Sequence, residues 1–113
     1  MSRLTIAVAL AAPLTVLAVA PACAQESTTL QISIKNNRFE PAEIKAPAGK
    51  ALTLKVKNLD PTPEEFESKT LRVEKIIAGN GEATIQLRAL QPGRYKFFGE
   101  YHESTAQGTL VVE

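Results

Sequence analysis

Apolar side chains recur at every second position along most of this chain, and that period leaves room for little but β-structure. Leu30, Ile32 and Ile34 alternate with Gln31, Ser33 and Lys35; Leu52, Leu54 and Val56 alternate with Thr53, Lys55 and Lys57. Ile85, Leu87 and Ala89 enclose Gln86 and Arg88, and Leu110 and Val112 close the chain. Successive side chains of a strand project to opposite faces, so such runs are strands with one dry and one wet face. No segment keeps a helical period over three turns. Pro47-Ala48-Gly49-Lys50, Asn58-Leu59-Asp60-Pro61, Gly79-Asn80-Gly81 (a hairpin-type turn) and Gln91-Pro92-Gly93 punctuate the runs. The spacing predicts an all-β antiparallel sandwich of about seven short strands.

The N-terminus is of another kind. Arg3 precedes an almost purely apolar run from Leu4 to Ala20, and Ala22-Cys23-Ala24 follows as a small-residue cleavage site. This is the layout of a secretory signal peptide. Pro13 and Pro21 interrupt the run, against the alternative of a membrane span of about 20 apolar residues. Retention of Cys23 as a lipidated first residue is the competing reading, but Ala20-Pro21-Ala22-Cys23 lacks the usual Leu. The expectation is removal of residues 1–24 and a periplasmic domain of residues 25–113, with no membrane insertion.

Removing 24 of 113 residues leaves 89, and with Arg3 gone 12 basic residues balance 12 acidic ones. A net charge of zero disfavours nucleic-acid binding through a general basic field. The single Cys also leaves, which excludes a disulfide, a thiolate nucleophile and a Cys-ligated metal. Phe39, Phe66, Tyr95, Phe97, Phe98 and Tyr101 must then supply a large share of a thin core. There is no phosphate-cradling glycine loop, and no nucleophile elbow surrounds Ser68 or Ser104 to make a triad with His102.

Two acidic runs remain. One is Pro63-Glu64-Glu65-Phe66-Glu67-Ser68, with Glu74 further on; the other, Gly99-Glu100-Tyr101-His102-Glu103, holds the sole histidine. Clustered carboxylates repel unless something positive sits among them, either Lys69, Arg72 and Lys75 or a metal ion. A solvated acidic loop and a structural histidine are the plain alternatives. Alternation splits the first run: if Phe66 points inward, Glu64 shares its face while Glu65 and Glu67 take the other.

The stretch from Asn36 to Glu113 resembles the cupredoxin family. The resemblance rests on Tyr95-Lys96-Phe97-Phe98-Gly99-Glu100-Tyr101-His102, on Gln107-Gly108-Thr109-Leu110-Val111-Val112, and on Ala46-Pro47-Ala48-Gly49-Lys50 leading to Asn58-Leu59-Asp60. It implies a Greek-key β-sandwich. Aligned so, Gly99 stands at the copper cysteine, Pro63-Glu64-Glu65 at the first histidine and Gln107 at the axial ligand, so that His102 alone survives of four. A blue-copper site depends on its thiolate, so that kind of electron carrier is not expected. The remaining oxygen-rich set suits iron or manganese and also accepts Cu(II) or Zn(II).

Phe39-Glu40-Pro41 and the two acidic runs are similar to the periplasmic cupredoxin-like proteins of bacterial ferrous-iron uptake, the EfeO-type domain and the stand-alone component beside Ftr-type iron permeases. That resemblance implies an iron or copper ion held by Glu64, Glu65, Glu67, Glu100, His102 and Glu103. It also implies binding or oxidation of Fe(II) ahead of an iron permease or a periplasmic iron-binding protein. Two other classes compete. One is a metal-free module docking a basic partner through its acidic loops. The other is a redox enzyme, for which the sequence supplies neither a redox-active metal nor an electron acceptor.

Overall fold

The computed structural model describes residues 27–113, together with residues 2, 3, 5, 7, 9, 11–13 and 15. The expected cleavage segment, residues 22–24, lies outside the described residues. Nine strands follow in order: β1 (Thr28–Lys35), β2 (Arg38–Glu40), β3 (Glu43–Ala46), β4 (Leu52–Asn58), β5 (Glu64–Ser68), β6 (Val73–Ile77), β7 (Glu82–Leu87), β8 (Gly93–Gly99) and β9 (Gln107–Val112). A single 3-10 turn, Glu100–His102, interrupts the passage from β8 to β9. One sheet has the order β2-β1-β4-β7 and the other β3-β9-β8-β5-β6.

The all-β sandwich is as expected; the strand count and the pairing differ. Both sheets are mixed, because β1 runs parallel to β4 and β3 parallel to β9. β2 and β3 have three and four residues, too few to show a period. The first acidic run is no loop either. It is β5, paired with β6 and β8, and it lacks an apolar–polar pattern because both of its faces are largely covered and the charged Glu64 shares the inward face with Phe66.

All four turn clusters carry the chain from one sheet to the other. Gly79-Asn80-Gly81 in particular joins β6 to β7 across the sandwich and closes no hairpin. The hairpin turns lie elsewhere. Asn36 and Asn37, at φ 53° and 57°, form the two-residue turn between β1 and β2. Left-handed geometry at both positions suits the twist of the flanking strands. Their amides donate to the Asp60 carboxylate at 2.8 and 2.9 Å, which ties that hairpin to the β4–β5 crossover.

Between the sheets, Ile32, Ile34, Leu52, Leu54, Val56, Ile85 and Leu87 meet Phe66, Ile77, Phe97, Leu110 and Val112. Phe66 stacks on Phe97 with centroids 5.0 Å apart, and Phe39 meets both rings edge-on. The aromatic contribution to the core is therefore concentrated in three rings. Tyr95 is partly buried with its hydroxyl on the Gln91 carbonyl, Phe98 lies half-buried on the outer face, and Tyr101 is exposed. Asn58, fully buried, donates to the carbonyls of Thr62, Ile77 and Ala78 and accepts from the Asp60 amide. Those bonds fix the end of the sandwich at which β5 begins.

Candidate metal centre

Strand β5 sorts its carboxylates by face. Glu64, Phe66 and Ser68 point between the sheets, while Glu65 and Glu67 stand on the outer face. The β5–β6 register sets Glu74 opposite Glu67. In the β5–β8 ladder Phe66 faces Gly99, and continuing that register carries Glu100 across from Glu65. One carboxylate oxygen from each of Glu65, Glu67, Glu74 and Glu100 lies within 4.8 Å of the others. Ligands on opposite sides of a cation with bonds of about 2.0–2.4 Å are about 4–4.8 Å apart, so four oxygens this close can share one ion.

No basic side chain among the described residues forms an ion pair with any of these four carboxylates. Among the described residues, the ion pairs are Lys45–Glu113, Arg94–Glu43 and His102–Glu64, and none involves Lys69, Arg72 or Lys75. Glu65 is 7 % exposed. The Glu74 carboxyl within hydrogen-bonding reach, then burial, then Glu100 push its carboxyl up to about 7. Burial first, then Glu100 and Glu74, raise Glu67 as well, against a smaller opposing pull from Lys69. Two crowded carboxylates ionise reluctantly because each added charge meets its neighbours in a partly dry setting.

Of the six residues picked from sequence, Glu65, Glu67 and Glu100 are brought together. Glu64 and His102 meet one another instead. The Glu64 Oε2 lies 2.6 Å from His102 Nδ1, and its Oε1 accepts the amides of Glu65 and Tyr101, each at 3.0 Å. An ionised carboxylate only accepts, so Nδ1 carries the proton in this pair. Glu64 is 1 % exposed, and these three donors satisfy its buried oxygens. Glu103 stands apart, exposed, on the rim of a groove with Phe98 and Gln107. Glu74 is the residue that sequence reading left out of the set. The signal was the reversal after Ser68, which folds residue 74 back beside residue 67.

A thiolate copper site does not fit these residues. A Cβ at Gly99 would stand 2.6 Å from Glu64 Cδ and 2.8 Å from the Ala106 Cβ, inside contact distance of both. The space where the resemblance places a copper-bound sulfur is thus filled by the Glu64 carboxylate. Cu(II) added to the protein is expected to give no intense visible charge-transfer band, since that band requires copper–thiolate bonding. Absorption spectra during a copper titration check this, and an intense blue form would overturn the placement of Gly99.

Comparison with known proteins agrees with this architecture. The auracyanin A structure, a "blue" copper protein from Chloroflexus aurantiacus, superimposes with a TM-score of 0.67 at 17% identity, covering 77% of this chain and 99% of that one. The metal-binding domain of the Streptococcus pneumoniae D39 Cu(I)-exporting P-type ATPase CopA gives 0.67 at 17% identity, over 75% and 84%. At such identities the likeness is one of fold. An uncharacterized protein of Rickettsia prowazekii (strain Madrid E) is 40% identical over 83 residues, covering 74% of this chain and 66% of that protein, so this chain spans just under two thirds of the relative's length. The model of the cupredoxin-like domain matches residues 6–112, and the chain belongs to that family.

Proposed function

We propose that this chain is an exported metal-binding protein that holds iron as cargo at Glu65, Glu67, Glu74 and Glu100 and delivers it in ferrous-iron uptake, to an iron permease or a periplasmic iron-binding protein. The observation that carries the reading is the convergence of four carboxylates, none of them ion-paired among the described residues. Crowding them costs free energy that a cation removes. Four oxygens with no nitrogen or sulfur favour a hard ion. Full ionisation places four negative charges there, which a trivalent ion neutralises further than a divalent one. Copper is the competing cargo, since the two fold neighbours named above are copper proteins.

Titration of the purified protein, without a histidine tag, with Tb(III) as a luminescent hard-ion probe and then with Fe(III), Fe(II), Mn(II), Cu(II) and Zn(II) tests the reading. Saturable one-to-one binding of Tb(III), displaced by iron, is the expected result. If no ion binds, the acidic face is a docking surface for a basic partner. The exposure of Ile76 and Tyr101, at 60% and 48%, beside the cluster favours that second reading.

A proton must leave Glu65 before it can ligate. Its carboxyl titrates near 7, so affinity is expected to rise about tenfold per pH unit below that value and to level off above it. Calorimetry in buffers of different ionisation enthalpy should show close to one proton released per ion at pH 6 and fewer at pH 8. A pH-independent affinity between 6 and 8 would remove Glu65 from the ligand set. Export is checked separately. Intact mass of the natively exported protein should correspond to a chain beginning at Gln25, and added lipid on Cys23 would show an anchored form instead.

A further inference from the structure

We propose that Glu64 is the positioning residue of the carboxylate cluster, fastening the strand that carries Glu65 and Glu67 to the turn that carries Glu100. This rests on the cluster being the cation site. Glu64 is adjacent in sequence to Glu65, yet it faces the opposite way, into the sandwich. Its Oε1 accepts the amide of Glu65, the first ligand, and the amide of Tyr101, the residue after the last ligand. Its Oε2 takes the imidazole of His102, the final residue of the same 3-10 turn. One buried carboxylate thereby spans 37 and 38 positions of sequence to hold Glu100 across from Glu65.

Two features make the fastening firm. Gly99 leaves no Cβ between β8 and the Glu64 side chain, which therefore packs directly against the backbone of β8. The far side of the turn is pinned as well, because the Ala106 amide donates to the His102 carbonyl at 2.8 Å and the Thr105 hydroxyl to the Asn37 carbonyl at 2.6 Å. Without the carboxylate, the Tyr101 amide and the imidazole lose their acceptor, and the turn carrying Glu100 loses its link to β5. The same pairing commits His102 Nδ1 to Glu64 and keeps that atom out of the ligand set.

The test compares Glu64→Ala with Glu64→Gln. Glutamine keeps a carbonyl oxygen for both amides, and its NH2 can donate to a neutral Nδ1. Glu64→Ala is expected to weaken Tb(III) binding at pH 8 about tenfold to a hundredfold, the scale seen when the groups that orient metal ligands are lost. Glu64→Gln should stay within about threefold of the parent on the same scale. Leu87→Ala, a core change in the other sheet, serves as the stability control and should lower the melting temperature without altering Tb(III) affinity. Parent-like binding by Glu64→Ala overturns the proposal, and so does a glutamine variant as weak as the alanine one. A second readout does not depend on metal. Hydrogen exchange at the Tyr101 amide should be slow in the parent and in Glu64→Gln and fast in Glu64→Ala. Equal protection in all three overturns the clamp even if Tb(III) binds. If the parent takes up no Tb(III) but the exchange pattern holds, the clamp stands and the cation site falls.

Discussion

The double substitution Glu65→Ala/Glu100→Ala is expected to weaken Tb(III) binding about a hundredfold at pH 8, and Glu82→Ala, on the exposed face of the other sheet, to leave it unchanged. Glu100, the first residue past β8, lies across from Glu65 of β5 when the β5–β8 register is continued, and the loss of both removes half of the four-oxygen set. Each single change should cost less than half of that effect on a logarithmic scale. Deleting one carboxylate also relieves the repulsion that the others suffer, so neighbouring effects are not additive.

Stability should move the other way. The Glu65 carboxyl titrates near 7 in the fold against an ordinary 4.5. Between those values the folded form holds more proton than the unfolded one, so this group makes stability fall as pH rises through the window, with the cost complete above about 7. The ion-free parent should therefore melt lower at pH 8 than at pH 5.5 through this group, and Glu65→Ala should lose that decline. Saturating Tb(III) should restore the parent at pH 8, because an ion that binds only the folded state stabilises it by mass action. A double variant that binds Tb(III) as the parent does would show that the ion, if any, sits elsewhere.

Phe66→Ala should remove about 3–5 kcal/mol of folding stability. Phe66 is fully buried, stacked on Phe97 at 5.0 Å and edge-on to Phe39 at 5.9 Å, so truncation opens a cavity at the centre of the aromatic group. A domain of this size has a stability of only about 5–15 kcal/mol, and each kcal/mol shifts its melting temperature by about 4–8 °C. Urea denaturation at pH 5.5, where the carboxylate repulsion is weaker than at pH 8, measures the loss. A change below about 1 kcal/mol would show that the core does not rest on this ring. The same position separates Glu65 from Glu67, so the residue that holds the core also holds the two ligands on one face.

Alternation of apolar and polar residues marks the all-β sandwich in the sequence itself, because burial on one face of a strand writes period two directly into sequence. It also sorted Glu64 to one side of Phe66's strand and Glu65 to the other. The position of the sole cysteine, Cys23, ahead of the first strand leaves no thiolate within residues 27–113, and folding cannot supply a side chain that the sandwich does not carry. What alternation could not reach was whatever depends on partners distant in sequence. The parallel pairing of β1 with β4 and β3 with β9 leaves no local mark. Glu74 joins the cluster only through the β5–β6 register. His102 is held by Glu64 because Gly99 lets a carboxylate fill the space a side chain would otherwise occupy. Local periodicity reports which face a residue takes; only the tertiary register decides which carboxylates share a point in space and which one is buried as the fastening between them.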